Sequence, residues 1–81
     1  MSEVQRDTQR AIRAAHEIID GRDPLADMGV IMVTLDHVVA AVLLATQDRD
    51  PRLAAAMLNE GLVPGVEERL SRLIAKTEAL K

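Results

Sequence analysis

The chain has 81 residues, of which 48% are hydrophobic, and its 10 basic and 13 acidic residues give a net charge of −3. This length predicts one small domain, residues 1–81, with little surplus stability, and the pattern described below makes it helical. The charges of both signs are interspersed, and this argues against a nucleic-acid partner, because nucleic-acid-binding domains usually carry a basic face.

Cysteine and aromatic residues are both missing from the sequence. Without cysteine the chain has no disulfide, no thiolate nucleophile and no zinc–sulfur site. Without aromatic rings, the core must be built from Ala, Val, Leu, Ile and Met. A small domain of this kind needs either very good helix packing or a partner, so a self-sufficient bundle and a self-associating one are both open.

The first predicted helix covers about residues 4–20, where apolar residues recur at helical spacing. Gly21 is placed to end this helix in a left-handed conformation, and Asp23-Pro24 disfavours any continuation. Pro24 opens at most one short helical turn, which Gly29 ends. The apolar remainder of residues 25–33 looks strand-like but has no pairing strand, so a buried extended connector is expected.

The second predicted helix, about residues 35–46, is apolar on nearly every side, which is typical of a central core helix. Thr34 is a good N-cap, and Asp36 in the first turn favours the positive end of the helix dipole. His37 follows Thr34 by three residues, so its ring is expected to interact with the first-turn backbone or with Thr34 itself. We therefore predict that these three residues cap a buried helix.

Two more helices are predicted after a short polar link. Asp50-Pro51 is a cap followed by proline at the first helical position, and it starts a third helix over about residues 51–60. Gly61 is expected to stop this helix, and residues 62–65 are expected to form a corner. A fourth helix is predicted over about residues 66–79. The pattern thus predicts an all-α fold, a compact orthogonal bundle of four helices with no substantial sheet.

No group of residues predicts catalysis or cofactor binding. His16 and His37 fall on different helices, without the convergent spacing of metal ligands. The serines and glycines lack the settings of a nucleophile elbow or a phosphate-binding loop. We therefore expect a protein that is not an enzyme and that has no metal site and no cofactor.

The apolar run from Met28 to Thr46 is also long enough to raise the question of a membrane span. Asp36 and His37 lie near its middle, and a charge at mid-bilayer depth costs roughly 2.5–3.5 kcal/mol. The first residues are polar and do not look like a signal peptide. We therefore predict a cytoplasmic protein without a membrane partner.

Two sets of residues are candidates for binding a partner. Met28 and Met32 have adaptable side chains that suit a peptide groove, although filling the core is the simpler role. Arg6, Arg10 and Arg13 follow one side of the first helix, where they form either a basic edge or an ordinary solvated face.

The order of these motifs resembles the repeat unit of the Clp (Hsp100) N-terminal domain over about residues 8–76. The matching positions are Thr8, Ala11, Ala14 and Ala15 in the first helix, Thr34-Leu-Asp-His37 with the apolar run to Leu44, and Ala54, Ala55, Met57, Leu58, Gly61 and Leu62-Val63. Asp36 stands where the family has Glu, and valine and alanine replace most of its leucines.

The family's domain usually holds two such repeats, and this sequence has one and no ATPase module. The resemblance implies a lone repeat that docks an adaptor or substrate segment and that pairs with a second copy of itself. The alternative function is a small dimeric helical regulator, antitoxin-like or transcription-associated. The third and fourth helices suggest it, because they form a helix-turn-helix-like pair around Gly61. Glu67, Glu68 and Glu78 make the fourth helix poorly suited to phosphates.

Overall fold

A computed structural model describes the backbone of residues 2–79 and the side chains of residues 2–75. The elements in chain order are α1 (Glu3–Ile19), α2 (Met28–Thr46), α3 (Pro51–Met57), a π-helical turn (Leu58–Leu62) and α4 (Val63–Ala79). The described residues contain no strand, and the predicted all-α class is confirmed.

The chain divides into two compact units, residues 1–39 and residues 40–81. The first contains α1 and the start of α2, and the second contains the end of α2, α3, the π-helical turn and α4. Among the described elements, the extensive contacts are those of the π-helical turn with α3 and α4, its neighbours in sequence. Within the described part of each unit, helices do not pack along their lengths, so the predicted compact four-helix bundle is not confirmed.

The ends of α1 are set by local hydrogen bonds and backbone angles. Ser2 Oγ accepts a hydrogen bond from the Gln5 N–H at 3.2 Å, and Gln5 Oε1 accepts one from the Ser2 N–H at 3.0 Å. This reciprocal capping box satisfies two of the donors that a helix start leaves unpaired. At the other end Asp20 and Gly21 have φ of 52° and 69°. The left-handed Gly21 was predicted, and α1 ends within one residue of the predicted boundary.

The helix α2 begins well before the predicted start. The Asp23 carboxylate accepts hydrogen bonds from the N–H groups of Leu25 (2.9 Å) and Ala26 (3.1 Å), and this forms a capped turn. The Ile31 N–H then donates to the Asp27 carbonyl at 3.1 Å, so the helical hydrogen bonding runs on through Gly29. Once a turn is nucleated, each added residue gains a hydrogen bond, and one glycine does not stop propagation. The extended connector predicted over residues 25–33 is therefore wrong.

The capping role predicted for Thr34, Asp36 and His37 is also wrong, because all three lie in the interior of α2. Thr34 Oγ1 donates to the Val30 carbonyl at 3.3 Å, within the helix rather than at its start. Asp36 and His37 are exposed and lie further along α2, beyond its first turn. The positive end of the helix dipole lies near Met28 instead.

Residues 51–79 form one continuous helical segment, whereas two helices separated by a corner were predicted there. Asp50 is the N-cap, and its Oδ1 accepts from the Arg52 N–H at 2.9 Å, with Pro51 at the first helical position. Gly61 does not stop the helix, because the Val63 N–H continues the ladder by donating to the Leu58 carbonyl. The corner over residues 62–65 and the helix-turn-helix-like pair are therefore wrong.

The π-helical turn ends two residues before Pro64, and the proline gives a physical reason for its position. Proline has no N–H to donate, and its ring crowds the carbonyl four residues earlier in an α-helix. The wider turn shifts the hydrogen bonding by one residue, which opens room for the ring and lets the helix continue.

Replacement of Gly29 by Ala should stabilise α2. Gly29 lies inside the helix, and a Cβ atom built on it meets no atom within 4 Å. Ala is better than Gly in a helix interior by about 1 kcal/mol, so a gain of roughly 0.5–1 kcal/mol in the free energy of unfolding is expected by denaturant titration. Gly21→Ala is the matched control and should destabilise the chain, because φ is +69° there. Equal changes in the free energy of unfolding at the two positions would contradict the placement of Gly29 inside α2.

Removal of the Asp50 cap should destabilise the second unit. Asp50→Ala leaves the Arg52 N–H without its side-chain acceptor and should cost about 0.5–2 kcal/mol in the free energy of unfolding. Asp50→Asn keeps an acceptor oxygen and should stay near the parent value in the same titration. If the two variants unfold alike, the cap contributes nothing at this position.

Candidate functional site

Most of the large apolar side chains of this protein are exposed to solvent. In the described chain, the buried hydrophobic residues are Ile31, Leu43 and Ala54. The exposed large ones are Val4, Ile12, Leu25, Met28, Val30, Met32, Val33, Leu35, Val38, Val42, Leu44, Leu53, Met57, Leu62, Val63, Val66, Leu70, Leu73 and Ile74. Single exposed apolar residues are ordinary, whereas groups of them on one face mark interaction sites.

One such group lies on α2 and is called the α2 seam here. It consists of Val30, Val33, His37, Ala40 and Leu44, all of them exposed. Their alternating spacing of three and four residues places them on one side of the helix. The seam has no Asp, Glu, Lys or Arg, and its centre is the imidazole of His37.

The buried residues of α2 do not mark out one covered side. Ile31 and Leu43 are 5% and 9% exposed, and Val39 is half-buried. With about 100° of rotation per residue, the exposed residues Met32, Leu35 and Val42 lie between Ile31 and Leu43 on the helix surface. The helix α2 is therefore apolar on nearly every side and exposes large apolar residues both on the α2 seam and opposite it.

The other two long helices also expose apolar stripes. The helix α1 buries none of its residues, and Val4 and Ile12 are 76% and 53% exposed. Along α4 the exposed apolar residues recur at helical spacing, at Val63, Val66, Leu70 and Ile74 among others. Each helix thus offers an apolar face suited to another helix.

The partner-binding candidates from the sequence are exposed but are not brought into one site. Met28 and Met32 are 59% and 45% exposed and lie one turn apart on α2. The side chains of Arg6, Arg10 and Arg13 are exposed on α1, which does not pack lengthwise against α2. The structure therefore supplies two separate surfaces.

The α2 seam was not predicted from the sequence. A helix predicted to begin at residue 35 leaves out Val30 and Val33, so the alternating spacing is too short to notice. The Asp23-Pro24 cap was the signal for the earlier start, since the same pair at Asp50-Pro51 was correctly taken as a helix start.

The polar groups of the described chain lie at the surface. No polar or charged side chain among residues 2–75 is buried, and Glu68 and Arg72 form an exposed ion pair on α4. The searched residues hold no cluster of three or more His, Asp or Glu side chains able to bind a metal ion. What this part of the chain presents is contact surface.

By length and composition, α2 is also able to cross a membrane, and it is the one such helix within the described residues. Only 11% of its apolar stretch is buried. The core helix of a soluble protein and a signal sequence have the same length and composition. These properties therefore do not distinguish a membrane span from a core helix or a signal sequence.

Comparison with known proteins adds no family to this description. No family model, no curated protein and no solved structure matches the chain.

Proposed function

We propose that this protein is a non-catalytic interaction module, which docks a protein segment or a second copy of itself on exposed apolar helix faces. The observation that carries the proposal is the contrast between 19 exposed large apolar residues and three buried hydrophobic residues in the described chain. A surface of this kind is typical of proteins that complete their core with a partner.

The energetics support a partner-completed core. Full burial of one Val, Leu, Ile or Met side chain contributes roughly 1.5–3 kcal/mol. The whole stability of a domain is only about 0.05–0.15 kcal/mol per residue, so covering a few such side chains decides whether the chain stays folded. We propose that the helices form a compact bundle in the complex with a partner.

The resemblance to a Clp N-terminal repeat adds a class of partner to the proposal. On that basis the module acts in the cytoplasm and docks an adaptor or substrate segment. Thr34, Asp36 and His37 carry the resemblance, but they lie inside α2 rather than at a helix start. Their proposed role shifts from capping to the surface of α2.

Binding to an array of helical and extended peptides, and to the chain itself, tests this proposal. We expect saturable binding to at least one of them, weakened at least tenfold by Leu70→Glu on the apolar stripe of α4. Ser71→Glu, the matched control, adds the same charge on the next residue and should bind like the parent. A chain that keeps its helical content but binds neither peptides nor itself would overturn the proposal.

A further inference from the structure

We propose that the Asp20–Gly21 bond, at the end of α1, is a modification site where Asp20 converts to isoaspartate through a succinimide. The product is a substrate for enzymes that methylate isoaspartyl carboxylates. This inference goes beyond the proposed interaction function and does not depend on it. It is carried by the free amide of Gly21, the open carboxylate of Asp20 and the left-handed backbone of both residues.

The reaction needs the Asp20 side chain, the Gly21 amide and water. The Gly21 nitrogen bonds to Cγ of the protonated Asp20 carboxyl, and the carboxyl O–H leaves with the amide hydrogen as water, which closes a five-membered succinimide. Water then adds to either ring carbonyl. Addition at Cγ breaks the new bond and restores aspartate. Addition at the main-chain carbonyl breaks the original peptide bond, so the backbone runs through Cβ and Cγ as isoaspartate.

The Gly21 amide is free to attack. Its N–H donates to no acceptor in the described chain, although most backbone N–H groups of a folded protein are paired. The N–H groups on either side are held. That of Asp20 donates to the His16 carbonyl at 2.8 Å, and that of Arg22 donates to the Ile19 carbonyl at 3.1 Å. Gly21 is also exposed and has no side chain to shield its nitrogen.

The Asp20 carboxylate is open as well. Asp20 is exposed, and its carboxylate makes no hydrogen bond or ion pair with any described residue. Its backbone is left-handed, with φ of 52° and ψ of 44°, a conformation that is unfavourable for residues other than glycine. Attack requires rotation about the Cα–C bond, and this rotation leaves a strained conformation instead of breaking a regular helix.

The aspartates that start helices are protected from this reaction. Asp23 and Asp50 both precede proline, which has no N–H to attack. Their carboxylates are also held, because that of Asp23 accepts two backbone N–H groups and that of Asp50 accepts one.

The remaining aspartates lack a free amide beside them or an unshielded one. Asp7 and Asp36 lie inside helices, where the following N–H belongs to the helical hydrogen bonding. The N–H after Asp48 donates to the Leu44 carbonyl at 2.8 Å. Asp27 is half-buried and is followed by a methionine, whose side chain shields the nitrogen. Asp20 is therefore the aspartate on which a free amide, a glycine and an open carboxylate coincide.

Trypsin isolates the site, because cleavage after Arg13 and Arg22 gives a peptide, residues 14–22, in which Asp20 is the one aspartate. The full chain is kept for several weeks at physiological temperature and mildly acidic pH and is then digested. Isoaspartate shifts the retention time of the peptide without changing its mass, and isoaspartyl methyltransferase methylates it. We expect at least tenfold more isoaspartate per aspartate here than in the peptide of residues 23–49. Equal amounts in the two peptides would overturn the proposal.

Two variants at residue 20 check the chemistry. Asp20→Glu must close a six-membered ring, which is slow, so methylation of residues 14–22 should disappear. Asp20→Asn releases ammonia in place of water and should react faster, with the mass increase of one deamidation. Methylation that survives in Asp20→Glu would overturn the assignment to Asp20.

A synthetic peptide of residues 14–22 measures the contribution of the fold, because it reacts without any structure around the bond. The folded chain should form isoaspartate within about threefold of the rate of this peptide, since no hydrogen bond holds the Gly21 amide. A folded chain that reacts more than tenfold more slowly would show that the end of α1 protects the bond and would overturn the proposal.

Discussion

Ile31→Asp should leave the chain largely unfolded at 25 °C. Ile31 is 5% exposed, the lowest value among the buried hydrophobic residues of the described chain. Truncation of a buried Ile costs about 2–5 kcal/mol, and a carboxylate without a partner adds a desolvation penalty. At about 0.05–0.15 kcal/mol per residue, this loss takes up most of the stability of so short a chain. Helical content by circular dichroism is the measurement.

Leu43→Asp places the same charge in the second unit, where Leu43 is 9% exposed. It should also unfold the chain and so extend the test beyond Ile31. Leu25→Asp is the control, because Leu25 is 88% exposed, and it should change the free energy of unfolding by at most about 0.5 kcal/mol. A helical Ile31→Asp chain would show that Ile31 is not part of a core.

The midpoint of thermal unfolding should rise with chain concentration. If two copies complete one core, dilution favours the separated, unfolded chains. A 100-fold increase in concentration changes the free energy of the dimer by about 2.7 kcal/mol. For two chains of 81 residues this corresponds to roughly 8 °C. Calorimetry over the range from micromolar to sub-millimolar concentrations measures the shift.

Leu70→Glu is the variant that connects this shift to the apolar stripe of α4, where Leu70 is 52% exposed. It places a carboxylate on that stripe in both copies, so self-association should weaken along with the concentration dependence. Ser71→Glu adds the same charge on the next residue and should keep the dependence. A midpoint that does not move with concentration in the parent chain would mean that folding does not require association.

The predictions that succeeded rest on local chemistry. Gly21 takes the predicted positive φ directly after the left-handed C-cap Asp20, because glycine takes such a φ at low cost, and that preference does not depend on the rest of the fold. Asp50 caps α3 because its carboxylate reaches an N–H two residues on. The Ser2–Gln5 capping box is equally local and was readable from the spacing, although it was not predicted.

The predictions that failed required a choice between two locally acceptable conformations. The β-branched residues around Val30 fit a strand or a helix, and the capped turn at Asp23 directs them into α2. Gly61 and Pro64 usually break a helix, but a π-helical turn accommodates the proline and the segment continues. Because α2 starts at Met28, Thr34, Asp36 and His37 lie inside the helix and do not cap its start.

By itself the sequence determined the helical class, the start and end of α1, the cap at Asp50 and the need to cover an apolar helix. These are consequences of hydrophobic period, glycine conformation and side-chain hydrogen bonds within a few residues. Only the tertiary structure decided how little of α2 is covered, because burial depends on contacts between segments distant in sequence.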